Sequence, residues 1–315
     1  MPVPPRSPPI PLPATPFPPS SAEVRAGNLR GLALMLLAFF LFSAVDAQAK
    51  YLTQTLHPLQ VVWFRQLGLL VAVLGLLAAQ GVSILRTAHP RLQLARGALA
   101  GLSAAAFIFG VSYVPLADAV AVAFIAPFMV TVLGALILRE PVGFHRWAAV
   151  SLGFAGTLIV IRPGAGVVHP AILLVVLAAS LFAARQIVSR YLAASDRTIT
   201  TVAYTALTGS ALLSLALPFV WQWPATGTEL LLLAGTAILA GLGEFTLIKA
   251  LEVGQAAVIA PMQYTMLLWG TFYGWLLFSQ FPDGWTWVGA ALIVASGLYT
   301  LHRERLAARR HRATG

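Results

Sequence analysis

Cysteine is absent from the chain, which excludes disulfides and thiolate metal sites. Charge is nearly as scarce: 10% of the 315 residues are Asp, Glu, Lys or Arg, against about a quarter in a soluble domain. The six histidines, at 57, 89, 145, 169, 302 and 311, fall in loops or tails. None pairs as H-x-x-x-H on one helical face, so no metal-ligating pattern forms. No glycine-rich phosphate loop follows a strand, which argues against ATP-driven pumping by this chain. No cofactor and no metal are expected. An enzyme, which would need His, Asp or Ser clustered at metal or nucleophile spacing, is a distant alternative.

What the chain has instead is apolar sequence. Hydrophobic residues make up 59% of it, and the mean hydropathy is +0.84. A backbone inside lipid must satisfy its own hydrogen bonds, which leaves helices or closed barrels. The apolar runs are about 20 residues long, not the alternating stretches of about 10 that a barrel uses. The fold class is therefore an all-α membrane protein. Ten transmembrane helices are expected near 29–51, 58–80, 94–114, 117–138, 144–162, 170–192, 198–221, 229–250, 254–279 and 284–302. Breakers such as His57-Pro58, His89-Pro90, Glu140-Pro141 and Phe281-Pro282 separate them.

Residues 1–27, proline-dominated and lacking an apolar signal-peptide core, are expected to be a disordered cytoplasmic tail. Residues 303–315 form a basic tail. The net charge of +10 invites a nucleic-acid reading, but its placement argues against one. With the N-terminus inside, Arg and Lys crowd the inner segments, and only Lys50 and Arg162 lie outside. This is the positive-inside pattern, and it predicts both termini in the cytoplasm with the tail facing lipid headgroups.

The chain also repeats itself. LFSAVDAQAKYL at 41–52 returns as LFAARQIVSRYL at 181–192. Thr131, Gly134, Leu136, Trp147, Leu152, Ala155 and Leu158 recur 140 residues later, and Phe124 corresponds to Tyr264. Five spans per copy is odd, so the second copy must enter the membrane inverted. The expected units are 28–165 and 166–302. Two inverted halves can exchange inward-open and outward-open shapes around a shared midplane site. A channel is a second distant alternative, because such pseudo-symmetry suits rocking better than a fixed pore.

At this point the chain resembles a known family, the EamA branch of the drug/metabolite transporter superfamily. The residues that carry the resemblance are DxxxKYL at 46–52, VVWFR at 61–65, PLADAVAVAFIAPFMVTVLGALILRE at 115–140 and VSLGFAGTLIVIRPG at 150–164. In the second half they are APMQYTMLLWGTFYGWLLF at 260–278 and GWTWVGAALIVASGLY at 284–299. The resemblance implies ten helices in two inverted EamA repeats, each of five helices. It also implies a secondary transporter of a small organic metabolite in a bacterial cytoplasmic membrane. The pattern is most similar to riboflavin and S-adenosylmethionine importers. Export of amino acids or drugs on the same fold is the alternative. Gln263 and Gln280 depart from that subgroup, which often has Glu at these places.

Ionisable side chains within spans line cavities or pair with each other. Asp46 and Arg65 lie roughly 7–11 Å below the outer surface at about 1.5 Å per residue, and Arg185 and Glu244 lie at similar depth from the inner side. Asp46–Arg65 is expected to close the outer half of a pathway, and Arg185–Glu244 the inner half. Lys50 and Arg190 end their spans and read as anchors. Tyr113, Phe124, Tyr204, Gln263, Tyr264 and Trp269 are candidates for a substrate cavity, near Pro127 and Pro261, which bend their helices and free carbonyls. The small-residue faces at 97–101 and 153–156 suit close helix packing or a homodimer contact.

Overall fold

The structure is a computed structural model that describes residues 21–139, 142–162, 169–193 and 195–314. Among these residues it is entirely helical. The elements are α1 (Ser21–Leu52), α2 (Pro58–Gln80), α3 (Pro90–Tyr113), α4 (Leu116–Ala123), α5 (Ala126–Ile137) and α6 (Phe144–Ile161). The second half has α7 (Ile172–Leu192), α8 (Thr198–Val220), α9 (Gly227–Val253), α10 (Ala256–Ile259), α11 (Thr265–Phe278) and α12 (Gly284–Thr314). Local chemistry sets several starts. Pro58 opens α2, where the lost N–H is unneeded, and His57 accepts from the Leu59 N–H at 3.3 Å. At α9, Thr226 accepts from the Glu229 N–H while Glu229 reaches back to the Ala225 N–H, a reciprocal cap.

The ends differ from expectation. Helix α1 begins at Ser21, so residues 21–27 are helical, and 1–20 lie outside the described residues. Helix α12 runs on to Thr314, through the basic segment read as a tail. Nine spans among the described residues are long and apolar enough to cross a membrane. The ninth in chain order does not register because it is broken: α10, a 3-10 turn over Ala260–Tyr264 and then α11, whose 14 residues are too few alone. The fourth span breaks at the equivalent place, between α4 and α5. Pro127 stands in the first turn of α5 and Pro261 in the first turn of the 3-10 segment. Each lacks the N–H that would continue the preceding helix.

Eight spans close into a ring. Helix α1 packs on α9, α9 on α2, α2 on α8, α8 on α3, α3 on α7, α7 on α4 and α5, α4 on α11, and α11 on α1. Neighbours therefore come alternately from the first and second halves. Exchanging each span for its repeat mate returns the same ring, which is what an inverted two-fold pseudo-axis requires. Helices α6 and α12, the fifth and tenth spans, pair with each other outside the ring and reach α4. The even number of passes puts both ends on one face, the terminal face.

Close approach without side chains builds these crossings. A Cβ on Gly68 would lie 2.0 Å from the Ala237 carbonyl, so α2 and α9 meet backbone to backbone. Gly156 and Gly289 do the same between α6 and α12, each facing the other's carbonyl. The faces at 97–101 and 153–156, read as suited to helix packing or a dimer contact, pack inside the chain: Gly97 and Gly101 against α8, Gly153 against Phe128 and Gly156 against α12. Lipid packs no tighter against Leu than Leu does, so small residues and close contact hold such bundles together. Large apolar residues such as Val71, Leu136, Leu215 and Phe219 are exposed at the periphery, where hydrocarbon would meet them.

Candidate functional site

The ring turns charged side chains from five of its helices toward one another. Asp46, six residues before the end of α1, has a 3% exposed side chain and lies 3.4 Å from the Arg65 guanidinium on α2. Arg65 keeps a quarter of its side chain exposed, so the pair is not fully enclosed by protein. Glu244 on α9 is within electrostatic reach of Arg65, Arg185 and Arg96. The two expected gates therefore meet in one network. Asp46 and Arg65 occupy the half remote from the terminal face, and Arg185 and Glu244 the nearer half.

The halves are not in the same condition. Asp46 and Arg65 form an ion pair. Arg185 and Glu244 face each other, yet among the described residues no ion pair within 4.0 Å joins them. The pair expected to close this half is therefore not formed in this conformation. The Arg185 guanidinium lies 4.6 Å over the Phe182 ring, and its buried Nε has no hydrogen-bond partner among the described residues.

Arg96 is the member that sequence reasoning missed. With the third span started at 94, it read as an inner-face residue. Helix α3 in fact starts at Pro90, which places Arg96 about 9 Å inward at 1.5 Å per residue. Its Nε donates to Ser189 Oγ at 2.6 Å and its Nη1 to Thr205 Oγ1. The His89-Pro90 pair was the available signal, since proline favours the first helical position.

The aromatic and amide candidates separate. Phe124 and Tyr264 are each 9% exposed and stack with centroids 5.1 Å apart. Gln263 is half-buried, next to Tyr264 in the same 3-10 turn. Trp269 sits edge-on to Phe40 at 5.1 Å, and its indole N–H is buried without a partner among the described residues. Tyr113 and Tyr204 lie apart from this stack, near the ends of their helices. Tyr113 ends α3, is 61% exposed and stacks on His169 at 5.1 Å. The Tyr204 hydroxyl donates to the Leu85 carbonyl at 3.3 Å, beside the short turn after α2.

A second polar cluster, buried at Lys50, Asp118 and Thr286, lies at the face remote from the termini. Lys50, read as an anchor, is 6% exposed, and its Nζ donates to the Val111 and Val114 carbonyls at 2.8 and 2.5 Å. It thus satisfies carbonyls that the end of α3 leaves open. Asp118 accepts from Thr286 Oγ1 at 2.9 Å, and Arg162 pairs with Asp283 at 2.6 Å. The Thr286 backbone N–H and the Arg162 cation hold the Asp283 carboxyl below the usual carboxylate range.

Two further carboxylates tie the ring across its seams. Thr55 donates to Glu229 at 2.7 Å, and Gln93 to Asp196 at 2.6 Å, with Thr87 also bonded to Asp196. The first tie lies at the face remote from the termini and the second at the terminal face.

Residues 29–162 and 169–301 each match the EamA-like transporter family. The chain belongs to that family. The two matched segments begin 140 residues apart, the offset read from the sequence. Among curated relatives of this EamA-like chain, the S-adenosylmethionine uptake transporter of Rickettsia felis is 29% identical over 284 residues, covering 90% of this chain and 96% of that protein. The riboflavin transporter of Rhizobium johnstonii is 34% identical over 281 residues, 87% and 91% respectively. The pseudopaline exporter CntI of Pseudomonas aeruginosa is 30% identical over 271 residues, 84% and 94%. A solved crystal structure shares the fold at a TM-score of 0.60 and 22% identity, covering 90% of this chain and 99% of that one.

Proposed function

We propose that this chain is a secondary transporter that carries a small organic metabolite across a bacterial cytoplasmic membrane by alternating access, with both termini in the cytoplasm. The observation that carries the reading is the unequal state of the two charge pairs across one interleaved ring. Asp46–Arg65 is closed and Arg185–Glu244 is not. A pathway shut on one side and open on the other needs such an asymmetry, and an inverted repeat supplies two conformations that interchange it. Charges that pair when closed and hydrate when open avoid the several kcal/mol that an unpaired buried ion would cost.

For cargo, the relatives named for S-adenosylmethionine and riboflavin uptake support import of a metabolite of that kind. The relative named as an exporter supports the opposite direction as a second reading. Purified protein in liposomes tests both. Saturable uptake of riboflavin or S-adenosylmethionine, accelerated by the unlabelled compound on the far side, is the expected result. Flux that rises linearly with concentration and shows no counterflow would indicate a channel and overturn the carrier reading.

A further inference from the structure

The charge network of the ring has three guanidinium groups and two carboxylates, and their pairing is lopsided. Asp46 is engaged by Arg65 at 3.4 Å. That leaves Glu244 as the carboxylate within reach of both Arg96 and Arg185. Arg96 is held by the neutral hydroxyls of Ser189 and Thr205. Arg185 rests on the face of Phe182 with its buried Nε unbonded. The two arginines stand on the packed pair α3 and α7 and lie within electrostatic reach of each other. Two like charges beside each other, away from bulk water, repel strongly unless an anion joins them.

The repeat shows that this surplus is not shared scaffold. The equivalents of Arg96 and Arg185 in the other half are Thr236 and Val45. Thr236 instead bonds to Gln48, and Val45 is fully buried. The frame therefore folds without cations at these places. Guanidinium is the side chain whose planar fork matches a carboxylate with two parallel hydrogen bonds.

We propose that Arg96 and Arg185 form the subsite that takes a carboxylate of the cargo, so that the transported metabolite is a carboxylate-bearing molecule. This rests on the transporter reading above and narrows it: S-adenosylmethionine carries such a group and riboflavin does not. Glu244, facing the same pair, offsets one of its two positive charges, and a cargo carboxylate would offset the other.

The test uses full-length protein in detergent and compares S-adenosylmethionine with its decarboxylated counterpart, and amino acids with their amides, at constant ionic strength. Binding is read from the rise in melting temperature with ligand concentration. The carboxylate member of a pair is expected to bind about tenfold to a hundredfold more tightly, the scale of charge-assisted hydrogen bonds. Arg185→Gln and Arg96→Gln should each erase that preference, and Arg185→Lys should keep part of it. Without ligand, Arg185→Gln should melt no lower than wild type, since it relieves repulsion; a merely structural arginine would lower it. Equal binding of both members, or a preference that survives Arg185→Gln and Arg96→Gln, overturns the proposal, as does a panel in which no carboxylate shifts the melt. Riboflavin counterflow in liposomes is measured alongside, so that a carrier of neutral cargo is distinguished from a protein that does not transport.

Discussion

Phe124 and Tyr264, equivalent residues 140 positions apart, stack on each other with ring planes 27° apart. Residues related by a two-fold can touch only where the axis passes, so this contact marks the pseudo-axis of the bundle. It lies at the breaks of the fourth and ninth spans, where Pro127 and Pro261 interrupt the helices. The two broken spans thus meet at the point about which the halves would exchange.

Truncating either ring should therefore be costly. Phe124→Ala and Tyr264→Ala should each lose about 3 kcal/mol or more, the usual cost of deleting a buried aromatic. Tyr264→Phe should be mild. Gly297→Ala gives a sharper check, because its Cβ would lie 1.7 Å from the Tyr264 hydroxyl. Thermal melts in detergent should show Gly297→Ala strongly destabilised and partly rescued by Tyr264→Phe. An unchanged melt for Gly297→Ala would show that Tyr264 does not occupy this position.

Asp46→Asn leaves Arg65 without its anion in a mostly buried setting. Removing one member of a buried pair costs about 3–5 kcal/mol, and the quarter exposure of Arg65 should bring this down to about 2–3 kcal/mol. Transport should fall by more than stability alone accounts for, since the closed side would no longer lock. The exchanged pair Asp46→Arg with Arg65→Asp should recover part of the flux lost in either single variant. A double variant no better than the worse single variant would mean that the pairing is not what matters.

The architecture was readable because an inverted repeat writes itself twice. The 140-residue offset, five spans per copy and the breakers between spans were all one-dimensional features. What could not be read was rotation about helix axes. Lys50 stands at a span end, where a long cation usually reaches toward headgroups, yet it points inward to the end of α3. Tyr204 lies within its span but turns toward Leu85. Asp46 and Arg65 were legible because a charge deep in an apolar run is costly wherever it points. Arg96 escaped because a boundary placed four residues late turned a buried cation into an expected surface one.

The tie at Asp196 gives a pH prediction with a definite sign. Hydrogen bonds from Thr87, and then Gln93, hold its carboxyl below the ordinary value of 3.8. A carboxyl with a lowered folded pKa contributes stability above the unfolded pKa and loses it as pH falls through the folded one. Asp196→Asn should therefore melt below wild type at pH 7, with the difference shrinking as pH drops below 3.8. Because the carboxylate is largely solvated, the effect should be small, and it should weaken in high salt. A difference that stays constant down to pH 3 would assign the tie to packing and not to the charge.

Gly68 tests whether the ring is as tight as its geometry requires. Its absent side chain lets α2 lie against the Ala237 carbonyl of α9, and Gly241 approaches from the same helix. A methyl group at Gly68 has no flexible neighbour to displace, only backbone 2.0 Å away. Gly68→Ala should force the helices apart and cost about 1–3 kcal/mol, as overpacking does in a tight core. The same separation would move Arg65, three residues earlier on α2, relative to Glu244. Transport should then fall together with the melting temperature. Gly75, lower on the same helix with open space around it, is the control, and Gly75→Ala should leave both unchanged or slightly raise stability. Equal behaviour of the two variants would mean that α2 and α9 are not in backbone contact at Gly68.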